Sequence, residues 1–145
     1  MAASDPYNLE RFIDAQQGVF ETALAELRAG SKQSHWMWFI FPQLAGLGRS
    51  STAQFYAISG VDEARAFLEH PLLGPRLRQS LDALMVRAGK RSAEQIFGTI
   101  DAMKLRSSLT LFDRVAPHHV FASALAAFFE GAGDERTLAL LPPTG

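Results

Sequence analysis

The chain has 145 residues, of which 48% are hydrophobic and 20% charged, with a formal net charge of -1 and no cysteine. This length fits one globular domain, residues 1–145, which can bury a core without a metal or disulfide. The near-neutral charge argues against a general nucleic-acid binder. The absence of cysteine excludes disulfides, cysteine-ligated zinc and a thiol nucleophile.

The first residues of the sequence do not predict a signal peptide. Residues 1–6 lack the basic start and apolar stretch of a signal peptide, and no apolar run approaches the roughly 20 residues of a membrane span. We therefore expect a cytoplasmic protein without a membrane partner. Residues 1–6 and 142–145 are expected to be flexible ends.

Apolar residues recur at three- and four-residue spacing along nearly the whole chain, which predicts an all-α domain. Pro75 is expected at the first position of its helix, and Ser92 and Asp134 are expected to cap theirs. The pattern corresponds to about seven short to medium helices around one core. Counted separately, the predicted helical stretches are eight: 8–29, 51–56, 60–70, 75–89, 92–98, one from Thr99 or Asp101 to Val115, 120–130 and 134–141.

The segment 34–43 reads Ser-His-Trp-Met-Trp-Phe-Ile-Phe-Pro-Gln and holds both tryptophans and two of the eleven phenylalanines. At helical or strand pitch both of its faces are apolar, so we expect it to lie at the centre of the fold. Trp36 and Trp38 are either core residues or rings that stack on a flat ligand, and one of them is expected to be partly exposed. His35 is either a hydrogen-bonded structural residue or a general acid or base.

Polar side chains interrupt the apolar faces of two predicted helices. Lys104 and Ser108 fall within the apolar arc of the helix over 99–115. Lys104 therefore extends its ammonium to the rim, pairs with a carboxylate, or projects into a pocket. Gln16 interrupts the first helix in the same way, and it either bonds to neighbouring backbone or lines a pocket. Together with Gln43, these residues make a shared polar cavity plausible.

The loop 46–51 leads into a helix, where free backbone amides and Arg49 suit an anion. The alternative is a helix capped by Ser50 or Ser51 after a flexible turn. The loop lacks the Gly-Lys-Ser/Thr ending of a phosphate-binding loop, and no strand precedes it as in a dinucleotide-binding fold. The sequence carries no metal-binding motif, and we expect no cofactor.

These residues predict a pocket for a small anionic or phosphorylated, nucleotide-like metabolite. Its flat group would stack on Trp36 or Trp38. Its anion and polar edges would be held by Lys104, Arg49, Ser50, Gln16, Gln43 and Ser108. If the pocket is catalytic, His35 is the best candidate, but the sequence does not decide whether the protein is an enzyme. The alternative is an interaction module without catalytic activity, whose protein partner the sequence does not identify.

Three segments, 34–44, 46–50 and 104–112, resemble a bacterial family of unknown function whose members are often labelled calpastatin in genomes. The resemblance spans nearly the whole chain and implies a compact, all-helical single domain. It implies no reaction, substrate or cofactor. Calpain inhibitors are disordered and low in apolar residues, whereas this chain predicts core-forming helices throughout.

Overall fold

A computed structural model describes residues 5–116 and 119–142, and Pro117 and most of the two predicted flexible ends lie outside them. The described residues form ten helices and no strand, which confirms the predicted all-α class although the helices are more numerous than expected. The helices are α1 (Glu10–Gln16), α2 (Phe20–Ala29), α3 (Met37–Ile40), α4 (Ser51–Phe55), α5 (Val61–Glu69), α6 (Leu73–Met85), α7 (Ala93–Phe97), α8 (Thr99–Val115), α9 (His119–Phe129) and α10 (Glu135–Leu140).

Helix α8, with 17 residues, is the centre of the fold. It contacts α3, α5, α7, α9 and α10. Its apolar face is fully buried, with Leu105, Leu111 and Phe112 at 0% exposure and Leu109 at 1%. The buried apolar residues of this face belong to a single hydrophobic core that the described residues share.

The predicted single helix over 8–29 is wrong, because the chain breaks between α1 and α2. Gln17 leaves the helical conformation with ψ 123. Gly18 follows with φ 75, a left-handed conformation that glycine adopts without steric cost. Local periodicity continues across the break, so spacing alone did not reveal it.

Helix ends that carry side-chain caps were predicted well. Ser50 caps α4, Ser92 and Gln95 form a reciprocal capping box on α7, and Asp134 caps α10. The start of α6 differs, since the helix begins at Leu73 and Pro75 is its third residue. Proline is tolerated there because the first N–H groups of a helix have no intrahelical partner.

The aromatic segment forms the short helix α3, and its predicted central position is confirmed. Trp36 and Phe41 are 0% exposed, and Phe39 is 9% exposed. Beyond it, an isolated parallel bridge joins Leu44 to Ile58. This bridge fixes the course of the chain directly after the aromatic segment.

None of the helices in the described part of the chain is both long and apolar enough to cross a membrane.

Candidate functional site

A cleft of about 470 Å³ lies between the segment that enters α3 and the beginning of α8. We call it the α3–α8 cleft. Its volume lies within the roughly 300–1,000 Å³ that is usual for small-molecule sites. Its walls are formed by Lys32, His35, Met37, Trp38, Phe97, Gly98, Thr99, Ile100, Asp101 and Lys104.

Two lysines share one carboxylate in this cleft. Lys32 Nζ lies 2.8 Å from Asp101 Oδ2, and Lys104 Nζ lies 3.5 Å from Asp101 Oδ1. The Lys104 side chain is 25% exposed and borders the cleft. One negative charge faces two positive charges, so these three side chains leave an excess of one positive charge to attract an anion.

Each lysine also lies over a tryptophan ring. Lys104 Nζ is 5.0 Å from the centre of the Trp38 ring, and Lys32 Nζ is 5.1 Å from that of Trp36. These distances are within the range of a cation–π contact. Trp36 is fully buried, whereas Trp38 is half-buried and borders the cleft. Trp38 is therefore the ring that a ligand can reach.

One carboxylate holds the segment that leads into α3. Glu26 Oε1 accepts hydrogen bonds from the backbone N–H groups of Gln33 and Ser34, at 2.8 and 3.0 Å, and from Trp36 Nε1 at 2.9 Å. Its Oε2 accepts the Ser34 hydroxyl at 2.6 Å. Burial raises the pKa of Glu26, but the bonds from Ser34, Gln33 and Trp36 together lower it from 4.5 to about 2.

The lowered pKa of Glu26 predicts a loss of stability in acid. The pKa of the carboxylate is about 2 in the folded protein and 4.5 in the unfolded chain. Its contribution to the free energy of unfolding is therefore complete above pH 4.5 and is lost as the pH falls towards 2. We expect Glu26→Gln to lower the free energy of unfolding by about 1.5–3 kcal/mol at pH 7, the range for hydrogen bonds to a charged group. Urea denaturation across this pH range should show that the difference in free energy of unfolding between wild type and Glu26→Gln becomes smaller in acid.

Glu21→Gln is the matched control, because Glu21 is exposed on the same helix. It should change the free energy of unfolding by less than about 0.5 kcal/mol at any pH. A Glu26→Gln variant as stable as wild type at pH 7 would contradict the role given to the carboxylate.

Comparison with known proteins places this architecture in a family. A family model described as "Protein of unknown function (DUF1810)" matches residues 6–141. The chain belongs to the DUF1810 family. A crystal structure of the conserved hypothetical protein Rv1873 from Mycobacterium tuberculosis is 48% identical, with a TM-score of 0.92, and the match covers 97% of this chain and 100% of that one. No curated protein matches. The resemblance seen in segments 34–44, 46–50 and 104–112 is thereby confirmed.

The structure brings together three of the predicted site residues of this DUF1810 chain. His35, Trp38 and Lys104 all border the α3–α8 cleft. His35 is exposed at the cleft and therefore accessible to a ligand. Gln43 borders a neighbouring cleft, which it shares with Lys104.

Sequence reasoning missed the two other charged residues of the DUF1810 cleft, Lys32 and Asp101. Asp101 lies three residues before Lys104, a spacing that brings two side chains together on a helix. That signal was available in the sequence. Lys32 had no comparable signal, since it reaches Asp101 only through the fold.

Two predicted residues, Trp36 and Gln16, are buried and are not among the residues that form the cleft walls. Trp36 is sealed in the core and bonded to Glu26. Gln16 is 2% exposed, and its Nε2 donates to the Phe39 carbonyl at 2.8 Å while its Oε1 accepts from Arg76 Nη1 at 3.2 Å. The hydrogen bonds of both side chains hold the aromatic segment in place.

Three further predicted residues are placed elsewhere. Arg49 and Ser50 lie in an exposed turn, where the Ser50 hydroxyl accepts a hydrogen bond from the backbone N–H of Ala53 at 3.0 Å. Ser108 is 1% exposed in the core, and its hydroxyl has no hydrogen-bond partner among the described residues. None of the three is among the residues that form the walls of the α3–α8 cleft.

A larger cleft, of about 560 Å³, lies beside the start of α5. Its polar wall includes Asp62 and Glu63. The Glu63 carboxylate is already bonded to Arg11 Nη2 at 2.7 Å and to the Ser59 backbone N–H at 2.9 Å. The Glu63 carboxylate is therefore committed to holding the fold, and a wall that carries both Asp62 and Glu63 does not suit an anion.

Proposed function

We propose that the α3–α8 cleft binds a small anionic metabolite with a flat group, such as a nucleotide. The observation that carries this proposal is the partly exposed Lys104 side chain at the cleft, whose ammonium lies 5.0 Å from the centre of the half-buried Trp38 ring. A cation and an aromatic surface are thus within reach of one ligand. Stacking on tryptophan is worth about 1–3 kcal/mol per base, and a charge-assisted hydrogen bond to phosphate adds to it.

The surrounding groups support the same ligand class. Lys32 adds a second ammonium beside Asp101, and the α8 residues Thr99 and Ile100 border the cleft at the start of the helix, where the dipole favours negative charge. His35 stands at the cleft and can donate a hydrogen bond to a phosphate. If a reaction takes place there, His35 is the candidate general acid or base.

Calorimetric titration with inorganic phosphate, adenosine and AMP tests the proposal. We expect AMP to bind more tightly than phosphate or adenosine, because only AMP uses both Lys104 and Trp38. Lys104→Met should weaken AMP binding at least tenfold, or about 1.4 kcal/mol. Lys90→Met, the matched control, removes the same charge from an exposed position between α6 and α7 and should leave binding unchanged.

Tryptophan fluorescence locates the binding. The chain has two tryptophans, and only Trp38 borders the cleft. AMP should therefore quench wild-type emission but leave the emission of Trp38→Phe, which comes from Trp36 alone, unchanged. The proposal fails if none of the probes binds at millimolar concentration, or if Lys104→Met binds AMP as tightly as wild type.

The alternative, an interaction module, is favoured by two apolar side chains beside the cleft. Ile100 is 72% exposed and Met103 58% exposed, one turn apart on α8. In a module without ligand chemistry, Lys104→Met would be neutral or stabilising and would leave the interaction intact. Ligand binding that depends on Lys104 would decide against it.

A further inference from the structure

A second cleft, of about 320 Å³, adjoins the first on the other side of Lys104. We call it the α8–α10 cleft. Lys104 and Ile100 border both clefts and form the ridge between them. A narrow gap of about 20 Å³ shares Trp38 with the first wall and shares Gln43 and Gly48 with the second. The two clefts are therefore neighbours with wall residues in common.

The second cleft differs from the first in its chemistry. Among the described residues that form its walls there is no aromatic side chain. Its polar groups are the Gln43 amide, the Ser107 hydroxyl, Asp134 and Arg136. Such groups suit a hydroxyl-bearing group, because they offer both hydrogen-bond donors and acceptors. Leu47 and Met103 supply apolar surface for its carbon atoms.

Arg136 is available as a second cation. It is exposed on α10, and its Nη2 has a long contact, 3.4 Å, to the Leu47 carbonyl. Asp134 is committed to capping α10, since its Oδ2 accepts from the backbone N–H of Thr137 at 2.9 Å and from the Thr137 hydroxyl at 2.6 Å. Lys104 and Arg136 thus face one cleft together, which suits an anion with more than one phosphate.

We infer that the ligand is a nucleoside diphosphate joined to a second, hydroxylated group. Its base lies on Trp38, its diphosphate lies at the ridge between Lys104 and Arg136, and its second group lies against Gln43 and Ser107. This inference rests on the proposed function of the α3–α8 cleft and adds the second cleft to it.

Titration with AMP, ADP and ADP-glucose tests the inference. In the wild type, ADP-glucose should bind at least tenfold more tightly than AMP and more tightly than ADP. Arg136→Ala should remove most of this advantage while leaving AMP binding unchanged. Arg78→Ala, which removes an exposed arginine from α6, is the matched control. It should change neither the affinity for ADP-glucose nor the affinity for AMP.

A steric variant tests the same cleft without changing charge. Met103→Trp fills the α8–α10 cleft from an exposed position. It should therefore weaken the binding of ADP-glucose and leave the binding of AMP unchanged. If AMP binds through Lys104 but ADP-glucose binds no more tightly than ADP, the inference is overturned and the proposed function stands. The inference is also overturned if ADP-glucose still binds more tightly than AMP in both Arg136→Ala and Met103→Trp. If no probe binds, both proposals fall.

Discussion

Phe39→Ala is expected to lower the free energy of unfolding by about 3–5 kcal/mol, the usual cost of removing a buried phenylalanine ring. Phe39 is 9% exposed in the core, and its ring centre lies 5.4 Å from that of Tyr56. Its carbonyl is also held by Gln16, so the backbone cannot collapse easily into the space left behind. A loss of this size is a large part of the roughly 5–15 kcal/mol that stabilises a typical domain.

Urea denaturation followed by far-ultraviolet circular dichroism measures this loss. Phe55→Ala is the matched control, because Phe55 also contacts the Tyr56 ring but is 55% exposed. It should cost less than about 1 kcal/mol. If Phe39→Ala and wild type unfold at the same urea concentration, the central position of the aromatic segment is contradicted.

Arg11→Ala is expected to cost about 3–5 kcal/mol, because it leaves the Glu63 carboxylate buried without its partner. The side chains of Arg11 and Glu63 are only 8% and 4% exposed. The guanidinium also donates to four backbone carbonyls, which would lose these hydrogen bonds. The carbonyls are those of Tyr7, Asn8, Phe55 and Ala57.

The exposed pair of Arg65 and Asp62 provides the control for this second variant. Its side chains are 51% and 82% exposed, and Nη1 lies 3.4 Å from Oδ1. Arg65→Ala should therefore change the free energy of unfolding by less than about 1 kcal/mol. If thermal and urea denaturation give similar losses for Arg11→Ala and Arg65→Ala, Arg11 does not anchor the fold as described.

Helix boundaries that depend on local chemistry could be predicted from the sequence. The Ser92 capping box and the Asp134 cap are formed by residues within one turn of each other, so their signals are contained in a few positions. The sequence predicted α8 from Thr99 or Asp101 to Val115, and the helix begins at the first of these two residues. The break at Gly18 could not be predicted this way, since a glycine within an amphipathic pattern is compatible with a continuous helix.

The candidate site was predictable from two signals, which were the dense aromatic segment that holds His35 and Trp38 and a charge that violated the pattern of its own helix. Lys104 stood out because a charge within an apolar arc needs a partner or access to water. Gln16 gave the same signal, yet the fold places it behind α3, because periodicity locates a face and not what that face meets. Lys32 and Arg136 are ordinary surface cations in sequence, and only the packing of distant segments brings them to the clefts.

The four hydrogen bonds to Glu26 have a consequence for local motion. The backbone N–H groups of Gln33 and Ser34 depend on the same carboxylate oxygen, and so does the Trp36 indole. When this carboxylate moves away, all of these groups lose their acceptor at once. The segment therefore opens as one cooperative unit, and its amide hydrogens are expected to exchange with solvent at a common rate set by a single event.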